Sequence, residues 1–298
     1  MQSVRNFDSV IDTLKNASRR VRVVVVCPYD EHTCQAIEQA INLGLAQFIL
    51  VGEPARIGIA PQASVEIVEA AGDDAAAALA VEYARTGRAD VLMKGLVNTE
   101  NYLKAILNKE HGILPQGNVL SHVTVAEIPG FDRLLTFGDV AVIPFPTAEQ
   151  HAAIVSNVVK ICRLLGAEQP HVALLHCNEK TTPKFPVTVA YQAIKESVAA
   201  GEYGTAIVDG PMDVKTALDA ESGAIKGIKS PVCGKADGLV FPDIEAGNVF
   251  YKTISWLGHS LNAGMLMGAS VPVVLPSRSD STRSKLCSLA LACLSAMK

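Results

Sequence analysis

A chain of 298 residues that is 49% hydrophobic and only 19% charged can build one large core or two ordinary ones, and this argues against a disordered chain. Its net charge of −4 comes without a basic block, which argues against nucleic acid as the main partner. The seven cysteines form no Cys-x-x-Cys pair, the N-terminus lacks a signal-peptide pattern, and no apolar run nears the ~18 residues of a membrane span, so a soluble cytoplasmic protein with no membrane partner is expected.

The first elements alternate in kind. A helix is predicted over Phe7 to Asn16. Val23 to Val26, reached through Arg20 and Arg22, is dense in β-branched residues and reads as a strand buried on both faces. Ile37, Ala40, Ile41 and Leu45 recur at helical spacing, with Gly44 interrupting them. Phe48 to Val51 and Ser64 to Val68 read as strands, Asp73 to Arg85 as a helix, and Ala89 to Met93 as a fourth strand. This alternation is the mark of βαβ units.

The loop after the fourth strand is polar. Lys94 leaves the strand end, Gly95 permits close backbone approach, and Asn98 or Thr99 caps a helix whose apolar positions are Tyr102, Leu103, Ile106 and Leu107. Such a loop can hold an anion. The plainer alternative is an ordinary capped helix with Lys94 and Lys104 in solvent.

Val119 to Ile128 and Arg133 to Phe137 read as paired strands about Pro129-Gly130, followed by Ala141 to Ile143. Pro144-Phe-Pro146 breaks the chain, and Thr147 caps a long helix reaching Leu165. Strands are then expected at His171 to Leu175, Thr205 to Val208 and Leu239 to Phe241. Helices are expected at Val187 to Ala200, Asp213 to Ala220 and ending near Gly258. Asn178 to Pro186 is a polar loop, and Gly264 to Gly268 reads as a turn or short helix. The predicted domains are residues 1–143 with 268–298, and an inserted domain of residues 144–267.

The second polar site ends the last strand, Val271 to Leu275. Pro276 stops the strand, and Ser277, Arg278, Ser279 and Asp280 follow at its carboxyl end, where open α/β sheets bind ligands. The final helix begins among Ser281, Thr282 and Ser284. Its unpaired N–H groups beside an arginine make an anion site, unless the string is only an N-cap with a solvated Arg.

Several sites are absent. There is no Gly-x-Gly, no P-loop, no Gly-x-Ser-x-Gly elbow and no His-x-x-x-His pair. His171 and His176 flank a strand as structural or exposed residues. Asp237, Asp243 and Glu245 are able to bind a divalent ion, but a solvated loop is the simpler reading, and no metal is expected.

Three segments together resemble one family. Phe137-Gly-Asp-Val-Ala-Val-Ile-Pro-Phe-Pro-Thr-Ala-Glu149 is similar to the central signature of the phosphate acetyltransferase and butyryltransferase family. Val240-Phe-Pro-Asp-Ile-Glu-Ala-Gly-Asn-Val-Phe-Tyr-Lys252 resembles a second. Pro272 to Ser281 with Ser284-Lys-Leu286 is closest to the butyryltransferase branch, which Val208-Asp-Gly-Pro211 and Gly227-Ile-Lys-Ser-Pro231 also resemble.

The resemblance implies two α/β/α sandwich domains with mostly parallel sheets and an interdomain cleft, isocitrate/isopropylmalate dehydrogenase-like, in a homodimer or higher homo-oligomer. It implies reversible acyl transfer between acyl-CoA, butyryl-CoA preferred, and inorganic phosphate through a ternary complex. Coenzyme A is then a substrate and no cofactor is bound. The alternatives are a phosphate acetyltransferase using acetyl-CoA and a non-catalytic acyl-CoA-binding protein. A metal-dependent decarboxylating dehydrogenase of related architecture would need clustered aspartates and a nucleotide loop, which the chain does not offer.

Ser277 and Arg278 match the family's Ser-Arg pair, which holds the phosphoryl group and the reacting carbonyl. Lys94, Asn98, Thr99, Lys104, Asn248 and Lys252 are the residues expected to bind substrate. Lys104 stands where the acetyltransferases carry an Arg before a Pro, here Ala105. The acetyltransferases' catalytic Asp, about seven residues beyond the Ser, is Ser284 here. Asp280 is the nearest carboxylate, a candidate base or a cap.

Overall fold

The computed structural model describes residues 4–297, which divide into two compact units: residues 7–120 with 262–297, and residues 4–6 with 121–261. The first stretch contains α1 (Phe7–Lys15), β1 (Val21–Val26), α2 (Glu31–Asn42), β2 (Ala46–Gly52), β3 (Val65–Glu69), α3 (Gly72–Arg85), β4 (Val91–Lys94) and α4 (Thr99–Ile106). Then come β5 (Ser121–Glu127), β6 (Leu135–Gly138), α5 (Ala148–Leu164), β7 (His171–Leu175), α6 (Pro186–Ala199), β8 (Ile207–Met212), α7 (Val214–Leu218), α8 (Ala220–Lys226), β9 (Gly238–Val240) and α9 (Ile244–Trp256). The chain returns through β10 (Leu261–Met267), β11 (Val273–Val274) and α10 (Thr282–Ala296).

In the first unit the strand order is β3-β2-β1-β4-β11-β10, parallel except for β10, which meets β11 antiparallel at Leu266 and Val273. The valine run is buried as its composition requires: Val21 and Val23 to Val26 are wholly enclosed. Helix α10 packs against α1 and α2 and is buried from Lys285 to Leu294. In the second unit the order is β5-β6-β9-β7-β8, with β5 antiparallel to β6 and the others parallel. Its core gathers Phe137, Leu239 and Phe241, and Phe137 meets Phe241 edge-on at 6.1 Å. Among the described residues no helix is long and apolar enough to cross a membrane.

The breaks between the units fall at Leu120/Ser121 and Leu261/Asn262 rather than at 143 and 268. The β5–β6 hairpin belongs to the second unit because β6 pairs with β9, Thr136 opposite Gly238. Pro144 to Pro146 is therefore a loop inside that unit. Ala141 to Ile143 is no strand, since the Asp139 carboxylate accepts the N–H groups of Ala141 (2.7 Å) and Val142 (2.9 Å) and closes a turn there. Gly264 to Gly268 is mostly strand, the body of β10. Asp213 to Ala220 is two helix starts rather than one helix: Asp213 caps α7, and Asp219 caps α8.

Candidate active site

The first unit's sheet contains a change of direction. From β1 the chain steps outward to β2 and β3, then returns to β4 on the other side of β1. In open α/β sheets the crevice at such a switch point receives ligands. Because β1, β4 and β11 are neighbours, the loops leaving their carboxyl ends lie side by side, and each opens a helix. Asp30 caps α2 by accepting the Thr33 N–H at 2.9 Å, and Asn98 caps α4 by accepting the Glu100 N–H at 2.9 Å. Ser281 caps α10 by accepting the Ser284 N–H at 3.2 Å. Three positive helix ends therefore open on one edge of the sheet.

Two of these loops are tied backbone to backbone. Gly95 N–H donates to the Val26 carbonyl at 2.8 Å, and Leu96 N–H to the Cys27 carbonyl at 2.7 Å. A Cβ on residue 95 would stand 2.4 Å from the Cys27 carbonyl oxygen and 2.6 Å from that of Val26. Only glycine fits this approach.

Lys94 ends β4 and is just 2% exposed. Its ammonium donates to the Gly95 carbonyl at 3.1 Å. Burial holds its pKa below the usual lysine value, the positive charges of Arg278 and Lys285 push it further the same way, and Asp30 and Asp73 oppose them. Lys94 is thus not the solvated lysine of the plainer alternative, and Arg278 is near enough for its charge to be felt there.

The Ser277–Asp280 turn is closed on itself. Asp280 accepts the Ser277 N–H at 2.8 Å, and the Ser277 and Ser279 hydroxyls meet at 3.0 Å. The helix cap is Ser281, not Asp280. Arg278 is exposed, and among the described residues none forms a hydrogen bond or ion pair with its guanidinium. Ser284, at the position of the acetyltransferases' Asp, donates its hydroxyl to the Asn262 carbonyl at 2.5 Å.

The first unit thus brings Lys94, Asn98, Ser277, Arg278 and Asp280 to loops of neighbouring strands. Thr99 is the exposed first residue of α4. Lys104 is exposed near the helix's other end, about 7–8 Å along the axis from Thr99. Asn248 and Lys252 belong to the second unit. On α9, Asn248 donates to the Val140 carbonyl at 3.1 Å, and the Lys252 ammonium lies 4.8 Å from the Tyr251 ring centre. Asp237 accepts the His171 N–H at 2.9 Å and Asp243 caps α9, so both carboxylates have structural partners.

Sequence reasoning missed the β1 loop. Buried Thr33 and Lys285 and half-buried Asp30 form a group there: the Lys285 ammonium donates to Asp30 at 3.1 Å and to the Thr33 hydroxyl at 3.0 Å. Burial alone would raise the Asp30 carboxyl, but hydrogen bonds from Thr33 and Lys285 outweigh it and hold the pKa below the usual range. The available signal was Asp30 standing directly before a helical run, an N-cap pattern. Asp30, Asp73 and Asp280 offset Lys94, Arg278 and Lys285 there, so exposed Arg278 and the N–H groups at the helix starts are what suit the site to a phosphoryl group.

Residues 59–293 match the family model for phosphate acetyl/butaryl transferase. The chain is 40% identical over 297 residues to the phosphate butyryltransferase of Clostridium acetobutylicum, covering 98% of each. It is 37% identical to the phosphate acetyltransferase of Rhizobium meliloti, over 92% of this chain and 89% of that one. Among solved structures it is similar to a branched-chain phosphotransacylase from Enterococcus faecalis V583, with a TM-score of 0.83, 31% identity, and coverage of 93% of this chain and 99% of that one. The chain belongs to the phosphate acetyl/butaryl transferase family.

Proposed function

We propose that the protein carries out reversible acyl transfer between acyl-CoA and inorganic phosphate, giving acyl phosphate and free coenzyme A. One structural observation carries this reading beyond family membership: buried Lys94 and exposed Arg278 stand at the ends of adjacent strands, beside the starts of α2, α4 and α10.

In the direction of acyl phosphate formation, a phosphate oxygen attacks the thioester carbonyl. The carbon–sulfur bond breaks, and the leaving thiolate takes up a proton. Negative charge grows on the carbonyl oxygen while the phosphoryl group already carries its own. Arg278, Ser277 and the N–H groups at the start of α10 serve that charge, and Lys94 adds to the field from below. Holding both substrates in one site supplies much of the remaining acceleration. In reverse, coenzyme A thiolate attacks the acyl phosphate, and cations nearby favour the thiolate over the thiol, whose pKa is about 8.5.

Butyryl-CoA is the proposed substrate. The 40% identity to a phosphate butyryltransferase supports this, and acetyl-CoA is the second reading. Asn248 and Lys252 on α9, with Thr99 and Lys104, are proposed as further substrate contacts. An isocitrate dehydrogenase-like two-domain layout and a homodimer belong to the same proposal, the first supported by the two compact units. The test is to follow thiol release from butyryl-CoA and from acetyl-CoA with and without phosphate. Phosphate-dependent release with butyryl-CoA favoured supports the reading. Each methylene in an apolar pocket is worth about 1–3 kcal/mol. Preference for acetyl-CoA would select the second reading, and no turnover with either would leave only a binding protein.

A further inference from the structure

Lys285 sits where a lysine is disfavoured twice. It is the fourth residue of α10, in the positive first turn, and it is 3% exposed. Its ammonium is held by Asp30 and Thr33, one the N-cap and the other in the first turn of α2. A second tie joins the same two helix starts: the Thr282 hydroxyl donates to Gln35 at 2.8 Å and lies 3.0 Å from His32 Nδ1. Asp30 is the carboxylate between two helix ends that would otherwise repel. The pair therefore joins the loop after β1 to the loop after β11, across the strand that ends in Lys94.

We propose that Lys285, through Asp30 and Thr33, is a positioning residue for the transfer reaction: it locks the start of α10 against the start of α2 so that the Ser277–Arg278 turn and Lys94 meet one phosphoryl group. This rests on the acyl transfer reading above. Lys285 does not itself contact the reacting atoms; both bonds it makes run to α2 and its cap. Its charge acts on Lys94 together with Arg278, against Asp30 and Asp73.

The experiment compares Lys285→Met with the double variant Asp30→Asn/Lys285→Met. Asn caps a helix nearly as well as Asp, so the double variant keeps the cap and leaves no charge buried alone. Phosphate affinity by calorimetry, kcat, KM for both substrates and melting temperature are measured on each. The single variant is expected to lose about 10²-fold in kcat, the usual scale for misplacing reacting groups by about 1 Å. KM for phosphate should rise more than KM for butyryl-CoA. In the double variant the melting temperature should recover while the kinetic and phosphate defects persist. Full kinetic recovery there would overturn the proposal, since it would reduce the pair to mutual neutralisation.

A pH profile gives the second readout. With Lys285 gone, one cation facing Lys94 is lost while Arg278, Asp30 and Asp73 remain. The basic limb of kcat/KM for phosphate should then move to higher pH, and an unmoved limb would count against the proposal. If the single variant does not fold, the double variant carries the kinetic and phosphate-affinity measurements; its basic limb is not expected to move, because Asp30 is neutralised together with Lys285. Calorimetry keeps this test separate from the activity: a wild-type protein that binds phosphate without turnover, and loses binding in the double variant, would sink the acyl transfer reading alone. Unchanged phosphate affinity in the double variant would sink the positioning role.

Discussion

The Asp280 carboxylate accepts the Ser277 N–H at 2.8 Å, and the Ser277 carbonyl accepts the Asp280 N–H at 3.2 Å in return. The reciprocal pair makes the turn that presents Arg278 and commits part of the carboxylate to the backbone. Asp280→Asn keeps an acceptor oxygen and exchanges a charged bond for a neutral one, a loss of about 1 kcal/mol. Turnover should fall less than about tenfold in a folded protein. General acid–base catalysis is worth about 10²- to 10⁴-fold, so a loss on that scale would make Asp280 the base instead.

Arg278→Lys should cost about 10²- to 10³-fold in kcat, because an ammonium cannot reproduce the planar fork of a guanidinium on a phosphoryl group. Arg278 is exposed, so the melting temperature should stay unchanged. Ser277→Ala should cost less, since N–H groups at the start of α10 share the load. Steady-state kinetics with thermal melts check all three points, and equal losses at both residues would contradict the ranking.

Lys94 carries the opposite balance of stability and function. Its folded pKa lies below the unfolded one, so the protonated form is disfavoured in the folded state. That cost is fully present below the folded pKa and is relieved as pH rises through it towards the unfolded value. Lys94→Met should therefore raise the melting temperature by about 2–4 °C, the equivalent of about 1 kcal/mol, while removing at least about 10²-fold of turnover. In the wild type, KM for phosphate should increase as pH rises through the folded pKa of Lys94. A less stable Lys94→Met protein would contradict the stability half of this expectation.

Gly95→Ala places a methyl against the backbone carbonyls of Cys27 and Val26, which cannot swing away as a side chain can. Forcing the two loops apart should destabilise by about 1–3 kcal/mol and raise KM for phosphate, measured by denaturant titration and kinetics. Gly44→Ala is the contrast. Nothing lies within 4 Å of its added carbon, so only the strain of a φ of +64° acts there, and phosphate kinetics should not change.

What could be read from the chain depended on whether the signal was local. The valine run of β1, the Thr147 cap of α5 and the Asn98 cap of α4 are written in consecutive residues, and each has its element in the structure. The short β11 and the β10 strand were harder. β11 has two residues, and β10 contains Gly264, whose N–H donates to the Ser288 hydroxyl of α10 at 3.0 Å, a partner far along the chain. The compact units break at Leu120/Ser121 for the same reason, since the pairing of β6 with β9 joins residues about a hundred positions apart.

By itself, the sequence determined the alternation of strand and helix, the two polar turns at Lys94 and Ser277–Asp280, and the family. Each rests on a short string whose spacing or residue types are sufficient. Only the tertiary structure decided that these turns are neighbours, because strand order places β4 between β1 and β11. It also decided that Lys94 is buried and that Lys285 reaches Asp30 across 255 positions. Burial and long-range charge pairing depend on which elements pack together, and that information is spread over the whole core rather than held in any one stretch.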